Sequence, residues 1–259
     1  MNFLSAEYGI DSSNLVLAGD SCGGSICLSI LSQLLHPSPN LPVLPYVKGV
    51  SKPLAGVLLI SPWTSLTTTA PSYAANADRD TLPPNVIRRF RDTYLPQSDE
   101  LHPASPATPV RRRIAPIDVA SVTGPYYEAT PDPHIKGLER GAGTTRPLDS
   151  FRDDDDDEEW WWSEMGDATQ KVMITTGEEE CFRDDILDFA KRLQNAVEKQ
   201  RHAGKGPPAV VGDGGAAVEI EVVRDNSFHA VLVSDFAFGA PPGALAATLS
   251  GWLVQALRD

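Results

Sequence analysis

The sequence predicts an α/β fold in which a mostly parallel sheet is flanked by helices and interrupted by a cap or lid insertion. Three observations carry this. Short apolar runs bounded by turn formers alternate with segments of helical periodicity, in the order strand, helix, strand, insertion, strand, helix, strand, helix. A Gly-Asp-Ser-Cys-Gly-Gly turn joins the first run to the first helix. With 259 residues, 41% hydrophobic and 22% charged, the chain has enough apolar material for a core of this kind.

Residues 1–9 have neither the basic nor the apolar region of a signal peptide. They read as the last turns of a helix ended by Gly9, so the chain is expected to have lost its true beginning. Asn14 to Ala18 is an apolar run between Asp11-Ser12-Ser13 and Gly19-Asp20, and predicts a buried strand. Ile26, Ile30 and Leu34, with Cys27, Leu31 and Leu35, repeat every four residues and predict a helix stopped by Pro37 and Pro39. Leu54 to Ile60 predicts a second buried strand, closed by Ser61-Pro62-Trp63.

Residues 64–169 far exceed an ordinary connection and predict a cap or lid insertion. They hold one expected helix, Pro84 to Tyr94, and an expected disordered stretch at 130–158. That stretch ends in an acidic run at 153–159, and then come Trp160-Trp161-Trp162, which either line an acyl pocket or pack the end of the insertion onto the sheet. Lys171 to Thr176 predicts a third strand, Arg183 to Lys199 a helix, Val218 to Val223 a fourth strand and Ala244 to Leu257 a last helix. The chain thus divides into residues 1–63, the insertion 64–169, and residues 170–259.

Gly19-Asp20-Ser21-Cys22-Gly23-Gly24 holds a G-x-S-x-G pattern between an expected strand and an expected helix. In such an elbow a serine sits on a strained turn, and the flanking glycines let strand and helix come close. The N–H of the next residue, Cys22, then points at a developing oxyanion, and its side chain is expected to point into the helix packing. A glycine-rich turn without chemistry has the same pattern. A phosphate-binding turn would want a lysine that is missing here. A serine nucleophile needs a base and an orienting acid, in the chain order serine, acid, histidine. Of the five histidines (36, 102, 134, 202 and 229), only His229 follows the fourth expected strand. After the third strand Glu178, Glu179, Glu180, Asp184 and Asp185 compete for the acid, and spacing alone does not choose. Asp184 and Asp185 are expected to charge the next helix's N-terminus.

These blocks resemble the hormone-sensitive-lipase-like branch of α/β-hydrolases, and in particular its fungal carboxylesterases and steryl acetyl hydrolases. The elbow is similar to that family's G-D-S-A-G-G, with Cys22 in place of alanine. Ile60-Ser61-Pro62-Trp63, Ser105-Pro106, Gly177 to Asp185 and His229 are similar to its later blocks. The resemblance covers about 1–125 and 160–259. It implies Glu180 as the acid, where the family usually has aspartate, and a serine carboxylic ester hydrolase with Ser21, Glu180 and His229 as triad. It implies a small-molecule ester with a small or medium acyl group as substrate, and neither a metal nor an organic cofactor. The family also carries an H-G-G-type oxyanion loop upstream of the elbow. Only twenty residues precede Ser21, and none resembles it. Loss of one oxyanion donor costs about 3–4 kcal/mol. The chain is therefore expected to be a truncated piece of a larger esterase. The alternative is an inactive homologue that serves as a binding module or has no function.

Lys plus Arg number 22 against 35 Asp plus Glu, a net charge of −13 that excludes a general nucleic-acid binder. The run 153–159 holds seven of those charges, which leaves −6 for the rest, so the acidity says little about the substrate. Cys22, Cys27 and Cys181 make no disulfide framework and fit a reducing, cytoplasmic or ER-associated setting. Membrane contact is expected only through a missing N-terminus, and oligomeric state is not legible.

Overall fold

The computed structural model describes residues 4, 7–36, 52–94, 161–202, 218–229 and 231–258. His102, His134, Ser105-Pro106, the stretch 130–158, the acidic run and Trp160 lie outside the described residues. Four strands form one parallel sheet in the order β1-β2-β3-β4: β1 is Val16–Asp20, β2 Gly56–Ile60, β3 Lys171–Gly177 and β4 Glu219–Asp225. Between them lie α1 (Cys22–Leu35), α2 (Pro71–Ala75), α3 (Pro84–Tyr94), α4 (Met165–Ala168) and α5 (Arg183–His202). After β4 come α6 (Val231–Ala237) and α7 (Ala244–Ala256).

The period-two alternation of the central strands builds a core on each face. Val57, Leu59, Val172 and Ile174 point to one side and pack with Leu28 and Leu31 of α1 and Ile186, Phe189 and Leu193 of α5. Leu58 and Met173 point to the other side, against Leu249, Trp252 and Ala256 of α7. Gly56 permits that second contact, because a Cβ there would sit 2.7 Å from the Trp252 ring.

Several sequence expectations shift. The first strand starts two residues later than expected and runs on through Gly19 and Asp20. It is only half-buried, not buried, because it is an edge of the described sheet with β2 as its one partner. Its helix begins at Cys22, directly after the serine, without a spacer. The short helices α2, α4 and α6 were not legible. The described parts of 64–94 and 161–169 contribute Leu66, Tyr73, Ile87, Trp162 and Met165 to the main core. Trp162 meets Phe189 edge-on at 6.2 Å, and Trp161 donates from Nε1 to Ser32 Oγ at 3.1 Å. Both side chains therefore pack inward, with these contacts on α5 and α1.

Candidate active site

All four strands end on the same side of the sheet, and each hands one residue of interest to its C-terminal end. This is where open parallel sheets collect ligands. After β1 comes Ser21, with φ 56° and ψ −119°, a conformation that an L-residue rarely holds. Its backbone is fixed from three directions. Ser21 N–H donates to Ile60 O (2.9 Å), while Ser21 O accepts from Gly24 N–H (3.0 Å) and Trp63 N–H (3.0 Å). Two glycines make the turn possible by close approach. A Cβ on Gly19 would lie 2.2 Å from Gly23 O, and one on Gly24 would lie 2.6 Å from Pro62 Cβ. Burial pushes the Asp20 carboxyl up, opposed by nearby His229.

The structure brings Ser21, His229 and Glu180 together. His229 Nε2 stands 2.8 Å from Ser21 Oγ. On its other side, His229 Nδ1 faces Glu180 Oε2 at 3.8 Å, longer than a hydrogen bond. The two residues are each 1% exposed, and neither of those two atoms has a partner among the described residues. The second Glu180 oxygen, Oε1, accepts from Ser61 Oγ at 2.5 Å. Phe182 stacks on Trp63 and meets the His229 ring edge-on with centroids 5.0 Å apart, so the imidazole is held against an apolar wall.

The neighbouring acids point elsewhere. Glu178 pairs with Arg183 (3.6 Å) and Arg224 (3.0 Å), and Glu179 with Arg79 (3.9 Å). Asp184 and Asp185 do lie in the first turn of α5, and they also hold α2 in place. Asp184 Oδ2 accepts from Ser72 N–H (2.8 Å), and Asp185 Oδ2 accepts from Tyr73 O–H (3.1 Å). Burial pushes the Asp185 carboxyl up to about 6, more than the Tyr73 bond offsets. Its folded-state value lies above the unfolded one. Stability is therefore lost as pH rises from about 4 to 6, and the penalty is complete above that. Asp185→Asn keeps an acceptor for Tyr73 and removes the charge. Chemical denaturation should find it about 1–3 kcal/mol more stable than wild type at pH 7.5 and no more stable at pH 4.

Cys22 departs from expectation. Its side chain was placed in the helix packing but is exposed, because α1 begins at Cys22 and its first position faces outward. Its N–H is among the first N–H groups of that helix, which have no partner within the helix. His36, the one other histidine with a described side chain, lies away from the site, with Nε2 2.8 Å from Trp161 O. Among the described residues, no group of three or more His, Cys, Asp or Glu could hold a metal ion.

Three residues around the site were missed from sequence. Ser61 holds Glu180 from a backbone with φ 43°. Asn76 Nδ2 donates to Glu178 O (3.0 Å) and Glu180 O (2.8 Å). Asp80 contacts the backbone of the acid and base turns. Ser72, Asn76 and Asp80 recur every four residues, a polar repeat that was the available signal for the last two.

Residues 2–125 match a family model described as alpha/beta hydrolase fold. Among solved structures, the chain is similar to an esterase from the bacterial hormone-sensitive lipase (HSL) family. That match has 18% identity and TM-score 0.52, and covers 99% of this chain and 57% of the other. It is also similar to carboxyl esterase 2 from the mycorrhizal fungus Tuber melanosporum, with 17% identity and TM-score 0.53, covering 99% of this chain and 58% of that one. A mutant of the esterase E40 gives 18% identity, TM-score 0.51, and coverage of 99% and 57%. The chain thus spans somewhat over half the length of these structures. No curated protein matches it.

Proposed function

Because this chain has the α/β-hydrolase fold, we propose that it acts as a serine carboxylic ester hydrolase on small or medium acyl esters. Ser21 is the nucleophile, His229 the general base and Glu180 the orienting acid. The observation that carries this is the 2.8 Å approach of His229 Nε2 to Ser21 Oγ on a strained strand–helix turn, with a buried carboxylate behind the imidazole.

The chemistry follows from those atoms. His229 Nε2 takes the Ser21 proton as Oγ attacks the ester carbonyl. The tetrahedral oxyanion accepts a hydrogen bond from Cys22 N–H. Glu180 keeps the Nδ1–H tautomer and stabilises the imidazolium. The imidazolium returns its proton to the leaving alkoxide, which departs as the alcohol and leaves an acyl-serine. His229 then activates water, and the acid is released.

The chain should hydrolyse p-nitrophenyl acetate, and a fluorophosphonate probe should label it at one residue, located by mass spectrometry at Ser21. Labelling elsewhere, or none together with no hydrolysis, sinks the proposal.

A further inference from the structure

We propose that Asp80 is a positioning residue for this site, one carboxylate that holds the acid turn and the base turn at a fixed separation. It deepens the esterase proposal and rests on it for its kinetic part. Asp80 Oδ2 accepts from Cys181 N–H at 2.6 Å, one residue after Glu180. Asp80 Oδ1 accepts from His229 N–H at 3.1 Å. These two donors lie beyond the ends of different strands; the two turns also meet through the backbone, Glu178 N–H donating to Asp225 O (2.7 Å) and Glu179 N–H to Ser227 O (3.0 Å), and Asp80 adds one side chain bonded to both. The flanking residues repeat the pattern on the carbonyl side. Thr81 Oγ1 donates to His229 O at 2.8 Å, and Asn76 Nδ2 to Glu180 O at 2.8 Å. Residues 76–81 therefore grip both the N–H and the C=O of the base, and both flanks of the acid.

The grip matters because of what the acid and base lack. Glu180 Oε2 and His229 Nδ1 are 3.8 Å apart with no hydrogen bond between them. Their distance is set by backbone placement rather than by a bond of their own. A shift of a fraction of an ångström in either turn would move the imidazole toward or away from the carboxylate. The bland alternative is that Asp80 serves only its own turn. It does accept from Leu82 N–H, but at 3.3 Å, longer than the bonds across to the acid and base turns, and the Thr81 hydroxyl, 3.4 Å away, gives its one proton to His229 O. A carboxylate is needed because both cross-turn partners are donors. An ionised acceptor bonds such donors about twice as strongly as a neutral one, and an asparagine would turn its NH₂ toward one of them.

The test uses Asp80→Asn in this chain, with Asp78→Asn as an exposed charge control. Asp80→Asn should lower kcat for p-nitrophenyl acetate by about 10–100-fold with KM within about twofold, as expected for misplaced reacting groups. The amides of Cys181 and His229 should exchange with deuterium about tenfold faster, with β3 amides unchanged. Asp78→Asn should change neither. Unchanged kcat and unchanged exchange in Asp80→Asn would overturn the proposal. So would exchange that rises equally in β3, which marks general destabilisation. If Asp80→Asn does not fold, wild-type exchange decides: the two turn amides must be protected nearly as well as β3, and fast exchange overturns the proposal. If wild type neither hydrolyses the ester nor labels at Ser21, the esterase proposal fails alone, and the two amides still decide the role of Asp80.

Discussion

Ser21→Ala should lower kcat for p-nitrophenyl acetate by up to about 10⁶-fold, leaving only what binding and the oxyanion donor supply. The fold should survive. The backbone of residue 21 is held by Ile60 O, Trp63 N–H and Gly24 N–H, none of which involves the hydroxyl. Alanine pays the same cost as serine at φ 56°. The one bond lost is that to His229 Nε2. His229→Ala should cost nearly as much as Ser21→Ala, and the double variant little more than either. Groups that act on one proton transfer do not contribute additively. Steady-state kinetics on the three variants check this. Losses that multiply, or a Ser21→Ala enzyme that retains its rate, would mean that the two residues do not act on the same step.

Glu180→Gln should lower kcat by about 10⁴-fold, whereas Glu178→Gln and Glu179→Gln should stay within about twofold. A carboxylate behind Nδ1 favours the tautomer whose Nε2 is free to accept the serine proton. The amide of glutamine can present its NH₂ instead. That favours a hydrogen on Nε2, where no proton can be taken up. Burial makes the effect large, since no solvent can replace the charge. The side chains of Glu178 and Glu179 are 36% and 44% exposed and make surface ion pairs with Arg183, Arg224 and Arg79, each worth about 0–1 kcal/mol. Equal kinetic effects at the three positions would remove Glu180 from the triad.

Much of the architecture was legible because its signals are local. The apolar runs of β2 and β3, the fourfold spacing in α1 and the Gly-Asp-Ser-Cys-Gly-Gly turn each lie within a dozen residues. His229 was legible from chain order alone. Glu180 was not separable by spacing from Glu178 and Glu179, because what distinguishes it is burial and the bond to Ser61, 119 residues away along the chain. Asp80 and Asn76 lay in a polar stretch read as insertion, and their role exists only once β3 and β4 bring the acid and base turns beside them. Cys22 was misread because the helix starts at it, ahead of the periodic apolar positions 26–35 from which the helix was read.

Ser21 and Ser61 are the two non-glycine residues with positive φ among the described residues. They sit at the ends of adjacent strands, and Ser21 N–H bonds the carbonyl of Ile60, the residue before Ser61. Each such conformation costs on the order of 1–3 kcal/mol. A glycine at either position would relieve that cost and give up a hydroxyl that the site uses. Selection for heat resistance and selection for turnover therefore pull in opposite directions at these two codons. A laboratory lineage screened for thermal tolerance alone should drift toward glycine at both serines and lose its chemistry as it hardens.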